Sequence, residues 1–173
     1  MKHRWMWGIA LIVLLAGAIA LVPAGFRLAQ PRTRTVEPSA RRPRTELPDI
    51  QQLTRVEEQG EVAVSVAFLN PSNPLAFRSD LGFSISLDTH TVDLSRYDLT
   101  THSVLTNDRG ETISSGFTWK AEIEGAHHRS GELRVKNRAA SGRPFWTTQV
   151  ELLRLELKEL ADVPVRRFEW RFP

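Results

Sequence analysis

The clearest alternation of apolar and polar side chains lies in residues 81–87, which read L-G-F-S-I-S-L. Leu81, Phe83, Ile85 and Leu87 fall on one face and small residues on the other, the two-residue period of a strand with one buried face. The run continues directly into D-T-H-T-V-D-L at residues 88–94. We therefore expect this strand to be central to the fold and to place a carboxylate and an imidazole where it ends.

The same period recurs from residue 61 to the C-terminus, with turn-forming residues between the runs. The alternating apolar positions are Val62, Val64, Val66 and Phe68; Phe117 and Trp119; Leu133 and Val135; Leu153, Leu155 and Leu157; and Phe168, Trp170 and Phe172. No long amphipathic helix is evident. The pattern predicts an all-β domain over residues 61–173, an immunoglobulin-like β-sandwich of about seven strands.

Three local predictions refine this fold. The N-D-R-G at residues 107–110 predicts a tight turn that joins residues 102–106 and 111–113 in a hairpin. Residues 150–162 contain good helix formers, but their period of two favours a strand. We expect the last strand to lie inside a sheet, because its three large aromatic side chains need a core to cover them.

An uncharged apolar run begins at Gly8 and ends at Phe26, after a short basic and aromatic flank at residues 1–7. It is long enough to cross the hydrocarbon core of a bilayer, about 30 Å thick. We interpret it as one N-terminal transmembrane helix that anchors the protein in the lipid bilayer. A cleaved signal peptide is the alternative.

Residues 27–60 are predicted to be a linker, rich in arginine and proline between the anchor and the sandwich. From Arg27 to Arg44 there are six arginines and one glutamate. This stretch is either a solvated spacer or a contact for anionic lipid headgroups.

The location of the domain depends on two opposing signals. The arginines after the apolar run would keep the domain in the cytoplasm by the positive-inside rule, whereas a short N-terminal flank and a long following domain favour export. We predict a cytoplasmic-membrane protein whose C-terminal domain is extracytoplasmic, either periplasmic or extracellular.

The charge balance argues against a nucleic-acid partner. The net charge of the chain is +3, but residues 45–173 contain 15 Lys and Arg against 19 Asp and Glu. The basic excess therefore lies beside the apolar run and not on the domain. The absence of cysteine excludes disulfides, cysteine-ligated zinc and a lipid-modified cysteine.

Five blocks of sequence occur in a recognisable order. They are S-L-D-T-H-T-V-D-L-S at 86–95, L-T-N-D-R-G-E at 105–111, F-T-W at 117–119, A-H-H-R-S-G-E-L-R at 126–134 and A-D-V-P-V-R-R-F-E-W at 161–170. The combination resembles an uncharacterised family of small bacterial extracytoplasmic β-sandwich domains, attached as membrane proteins or lipoproteins. The resemblance implies export but no activity. Ala126 stands where that family usually has glycine, which questions the conformation of this loop.

Histidine and aspartate near the predicted strand ends form a candidate metal site. Imidazole is a good ligand for copper or zinc, and Asp88 and His90 would point the same way from a strand. His127 or His128 could complete the set, but adjacent residues of an extended chain face opposite sides, so only one of the two would join. The alternative is structural: the imidazoles hydrogen-bond within the loops, and Arg129 pairs with a carboxylate such as Asp88 or Asp93.

No sequence motif of a hydrolase, a metalloprotease or a phosphate-binding loop is present. We therefore expect a non-catalytic binding or accessory module with an unidentified protein partner and no resident cofactor. Handling of copper or zinc through the histidines is the alternative. Trp146, in a predicted loop, and Arg129 are the candidate contact residues.

Overall fold

The computed structural model describes residues 47–173, and the predicted flank, anchor and most of the predicted linker lie outside them. In this part of the chain, no helix has the length and apolar character to cross a bilayer. Nine strands are formed: β1 Thr54–Glu57, β2 Val62–Phe68, β3 Asp80–Thr89, β4 Ser103–Asn107, β5 Thr112–Ile113, β6 Thr118–Glu124, β7 His128–Lys136, β8 Leu152–Leu160 and β9 Val163–Arg171. The helical elements are short: 3₁₀ turns at Ile50–Leu53 and Leu94–Arg96, and α1 at Leu99–His102.

Strand β3 is the middle strand of a five-stranded sheet with the order β1-β2-β3-β7-β6. The second sheet has the order β5-β4-β8-β9, and all neighbouring strands in both sheets are antiparallel. The central position of β3 and the hairpin of β4 and β5 agree with the sequence. Strand β8 confirms the prediction that residues 150–162 contain a strand and not a helix.

The two sheets enclose one hydrophobic core, so the domain has the two-layer architecture of a β-sandwich. The inward residues of β3, from Leu81 to Leu87, have no solvent exposure. Aromatic rings connect the layers: Phe83 of β3 lies 5.7 Å from Trp170 of β9 and 5.2 Å from Phe68 of β2, measured between ring centroids. The alternation in the sequence therefore corresponds to the inner faces of the two sheets.

The folded domain begins before residue 61, the predicted first residue of the sandwich. The 3₁₀ turn Ile50–Leu53 and strand β1 precede that residue, and β1 pairs with β2 in register. Contacts with β9 hold this segment: Trp170 Nε1 donates to the carbonyl of Leu53 at 2.5 Å, and Arg55 Nε donates to the carbonyl of Glu169 at 2.8 Å. Polar side chains make these contacts, which explains why hydrophobic alternation does not reveal the segment.

The prediction that the last strand lies inside a sheet is wrong. Strand β9 is an edge strand, with β8 as its ladder partner. Phe168 and Trp170 are nevertheless almost fully buried, at 1% exposure each. Their cover comes from the opposite sheet and from the segment before β2, and not from a second neighbouring strand. Burial of one face requires a facing layer, which an edge strand also has.

A buried guanidinium joins β9 to the start of the other sheet. The side chain of Arg166 has 0% exposure, and its Nη1 donates to Glu57 Oε2 and, at 3.0 Å, to the carbonyl of Val62. Nε and Nη2 of Arg166 have no hydrogen-bond partner among the described residues. The charge of Glu57 is thus the main compensation for a cation held out of water.

We expect Glu57→Ala to lower the free energy of unfolding by about 3–5 kcal/mol, because it leaves the Arg166 cation buried without its counter-charge. Glu58→Ala, which removes the next carboxylate in the chain, is the matched control and should change stability by about 0.5 kcal/mol or less. Urea denaturation of the full-length chain measures both. Equal effects of the two variants would show that the ion pair does not hold this end together.

Candidate functional site

The four histidines of residues 47–173 gather at one end of the sandwich. Residues 58–61, 90–102, 125–127 and 159–163 form this end, which we call the histidine end. His90 follows β3, His127 and His128 stand at the turn into β7, and His102 closes α1 before β4. The antiparallel register brings these strand ends together, because β3 ends where β7 begins.

Asp88 and His128 are opposite each other in the β3–β7 ladder and are hydrogen-bonded. His128 Nδ1 lies 2.8 Å from Asp88 Oδ1, and the Ser86 hydroxyl donates to Asp88 Oδ2 at 3.1 Å. A neutral His128 imidazole that donates its Nδ1–H to this carboxylate has its lone pair on Nε2. Ser86 and His128 therefore both hydrogen-bond to Asp88 and not to each other.

A cavity of about 320 Å³ opens beside this pair. Its lining residues are Glu58, Gly60, Glu61, Ala63, Asp88, Thr89, His90 and His128. The structure thus brings Asp88, His90 and His128 to one cavity, as the sequence suggests. Across the described range, however, no three His, Asp or Glu side chains are arranged to enclose a metal ion.

His127 faces away from this cavity. Its Nδ1 lies 3.2 Å from the carbonyl of Val92 in the loop after β3. The two adjacent histidines therefore separate, one toward Asp88 and one toward a loop carbonyl, as expected for neighbours in an extended chain. The next residue toward the N-terminus, Ala126, accepts a backbone hydrogen bond from Leu94 at 2.8 Å. Ala126 does not have a positive φ, so this loop does not require glycine there.

Arg129 is buried in a cluster of β6 and β7 side chains and is not an exposed contact residue. Its Nε donates to Glu124 Oε2 at 2.9 Å, its Nη1 donates to the carbonyl of Tyr97, and its guanidinium lies 5.4 Å from the ring of Trp119. Trp119 Nε1 donates to the other oxygen of Glu124 at 2.8 Å. The carboxylate partner of Arg129 is therefore Glu124, and neither Asp88 nor Asp93.

Hydrogen bonds lower the pKa of the Glu124 carboxyl below its ordinary value of 4.5. The indole N–H of Trp119 is the largest cause, and the hydrogen bond and charge of Arg129 act in the same direction, while burial opposes them. Glu124 therefore remains ionised at neutral pH and orders Trp119 and Arg129 around it.

Trp146 lies in a loop, as predicted, but is not an exposed contact. Its ring packs edge-on against Phe68 at 5.1 Å and Phe172 at 5.7 Å between centroids. Asn137 bonds both backbone groups of Trp146, at 2.8 and 3.0 Å. The loop folds back over the opposite end of the sandwich because the exposed edge of the aromatic core needs a cover.

The pairing of Glu124 with Trp119 and Arg129 is not evident from the alternation of apolar and polar positions. The signal was present in the spacing, since Glu124 and Arg129 flank the short turn of residues 125–128 and pair across the β6–β7 ladder. Recognising it requires the hairpin register, which the bulge between Ala121 and Ile123 shifts.

The fold and this site define the domain as an antiparallel β-sandwich with a polar histidine end. No family model matches the sequence, and no curated protein matches it. Among solved structures, the chain is similar to a DUF4426 family protein from Pseudomonas aeruginosa PAO1, with 15% sequence identity and a TM-score of 0.38. The similarity covers 69% of this chain and 97% of that protein. At this score the likeness carries no argument about function.

We expect Glu124→Gln to reduce stability at neutral pH and to remove part of the acid sensitivity of the domain. Folding lowers the pKa of Glu124. The contribution of its carboxylate to the free energy of unfolding is therefore complete above about pH 4.5 and is lost as the pH falls below that value. Urea denaturation at a series of pH values should show the two proteins converging in acid. The exposed neighbour Glu122→Gln is the control. A constant difference between the E124Q variant and the wild type from pH 7 to pH 3 would contradict this role.

Proposed function

We propose that this chain is a non-catalytic binding or accessory module, anchored in the cytoplasmic membrane and presenting its sandwich outside the cytoplasm. One observation supports the non-catalytic part of the proposal: Ser86 and His128 both donate to Asp88, so the hydroxyl is not activated by the imidazole. A hydrolytic triad requires the serine to donate to the histidine. At the same end, Arg129 donates a hydrogen bond to Glu124. Hydrogen bonds of Arg129 to Glu124 and to the carbonyl of Tyr97 fix the loops at this end, which supports a role in binding.

We further propose that the sandwich is of the immunoglobulin-like type. The strand order supports this, since β2-β3-β7-β6 corresponds to strands A-B-E-D of that fold and β5-β4-β8-β9 to C′-C-F-G. In this correspondence β1 is an additional edge strand before A. The histidine end then comprises the B–C loop, the D–E turn and the F–G hairpin, a place where sandwich domains commonly carry binding loops.

The sequence carries the proposal of location and anchoring. The uncharged run at residues 8–26 is long enough to span the bilayer, and residues 27–44 place six arginines next to it. We propose that these arginines contact anionic headgroups and that an unidentified protein partner binds the sandwich. The net acidic domain gives no support to a nucleic-acid partner.

A reporter fused after Pro173 tests the proposed topology. Alkaline phosphatase folds only outside the cytoplasm, whereas green fluorescent protein exported in unfolded form does not mature there. We expect phosphatase activity in the membrane fraction of the phosphatase fusion and no fluorescence from the fluorescent-protein fusion. Deletion of residues 8–26 should reverse the pattern. Fluorescence from the full-length fusion, without phosphatase activity, would place the domain in the cytosol and refute the proposal.

A second candidate function is binding of copper or zinc, favoured by one specific observation. Asp88 holds Nδ1 of His128, which is how a carboxylate outside the ligand set commonly orients a metal-binding imidazole. Nε2 of His128 and the exposed His90 share one cavity with Glu58 and Glu61. In this hypothesis Asp88 orients the ligand and is not a ligand, and His127 does not take part.

Titration of the full-length protein with Cu²⁺ and Zn²⁺ tests this candidate. His90→Ala and His128→Ala should each weaken metal binding by at least about tenfold, because a site of few ligands cannot lose one without a large loss of affinity. His127→Ala, the matched neighbour, should bind as the wild type does. The metal hypothesis fails if the dissociation constant of the wild type exceeds about 1 mM, or if all three variants bind equally.

A further inference from the structure

A second cavity lies at the histidine end, beside the β8–β9 hairpin. It has a volume of about 630 Å³, within the usual range of small-molecule sites. Its lining residues are Arg96, Tyr97, His102, Glu159, Asp162, Val163 and Pro164. None of them lines the cavity of His90 and His128.

One wall of this cavity is a pre-organised basic and aromatic surface. Arg96 Nη2 donates to the Tyr97 hydroxyl at 3.1 Å, and the guanidinium lies 5.3 Å from the centroid of the same ring. His102 meets Tyr97 edge-on at 6.2 Å and is fixed by the contact of its Nδ1 with the carbonyl of Lys158 at 2.7 Å. Arg96 thus retains donors for a ligand, in an orientation that stacking on Tyr97 has already limited.

The remaining lining residues belong to the β8–β9 hairpin and form the second wall of the cavity. Glu159, Ala161 and Asp162 have positive φ values of 52°, 51° and 59°. Ala161 and Asp162 are the central residues of a two-residue hairpin turn, in which positive φ at both positions is the ordinary geometry. Two of the three present carboxylates to the cavity, while Val163 and Pro164 provide an apolar part of the wall.

We propose that this cavity binds a small zwitterion, an α-amino acid. The guanidinium of Arg96 would pair with the ligand carboxylate, and Glu159 and Asp162 would accept hydrogen bonds from its ammonium group. The ligand side chain would lie against Tyr97 and Pro164. A simple anion would face the two carboxylates, and a simple cation would face Arg96, so a ligand with both charges fits the two walls best.

This inference names a ligand for the binding function proposed above and rests on it. The two can still fail separately, because the topology experiment does not depend on any ligand, and the ligand experiment does not depend on the side of the membrane.

Nuclear magnetic resonance of the ¹⁵N-labelled full-length chain in detergent tests the proposal. L-alanine should shift the amide signals of Tyr97 and Val163 and saturate below about 10 mM. Alanine methyl ester, which lacks the carboxylate charge, and N-acetyl-alanine, which lacks the ammonium charge, should each bind at least about tenfold more weakly.

Single substitutions then test which side chain binds each charged group of the ligand. Arg96→Gln and Asp162→Asn should each weaken alanine binding by about tenfold or more, and asparagine tolerates the left-handed conformation at residue 162. Arg138→Gln, at the opposite end of the domain, should bind as the wild type does. The proposal is overturned if alanine, leucine, glutamate and lysine all fail to give saturable shifts, or if the singly charged analogues bind as tightly as alanine.

Discussion

The fold depends on burial of one face of strand β3 against the opposite sheet. Leu81, Phe83, Ile85 and Leu87 are fully buried, and β3 has a ladder partner on both sides. Burial of one such side chain contributes about 1.5–3 kcal/mol. The two-residue period fixes the pairing register of β3, because displacing the strand by one residue would turn all four side chains to solvent.

The same register determines the geometry of the histidine end. Pairing of Phe83 with Leu133 in the core also places Asp88 opposite His128 at the end of the ladder. Core and candidate site are therefore not independent, since a slip that exposes the apolar face would also separate the aspartate from the histidine. Arg166 and Arg129 strengthen this end by joining loops and strands through charge-assisted hydrogen bonds.

Sequence alone predicted those parts of the structure that local periodicity determines. The central position of β3 and the hairpin at Asn107 follow from strand ends and turn residues, whereas the choice between His127 and His128 as the neighbour of Asp88 needed the ladder register. Strand β1 was missed because its contacts to β9 come from Arg55 and Glu57, whose polar side chains resemble those of a linker.

Features that require a partner far away in the sequence could not be predicted. The edge position of β9 depends on the opposite sheet for burial of Trp170, and Trp146 is covered because Phe68 and Phe172 meet at the same end. The cavity of Arg96 and Asp162 arises from a loop and a hairpin that lie more than 60 residues apart in the chain. No local pattern brings such segments together, because tertiary packing decides their proximity.

Native-state hydrogen exchange of the full-length protein tests the central role of β3 most directly. Its amides are paired on both sides within a buried sheet, so those of Leu81 to Leu87 should exchange only on global unfolding and be the slowest in the domain. Amides of the edge strands β5 and β6 should exchange faster, through local opening. Exchange of the β3 amides as fast as that of the β6 amides would contradict this account, because the strand would then not be the core on which the sandwich is built.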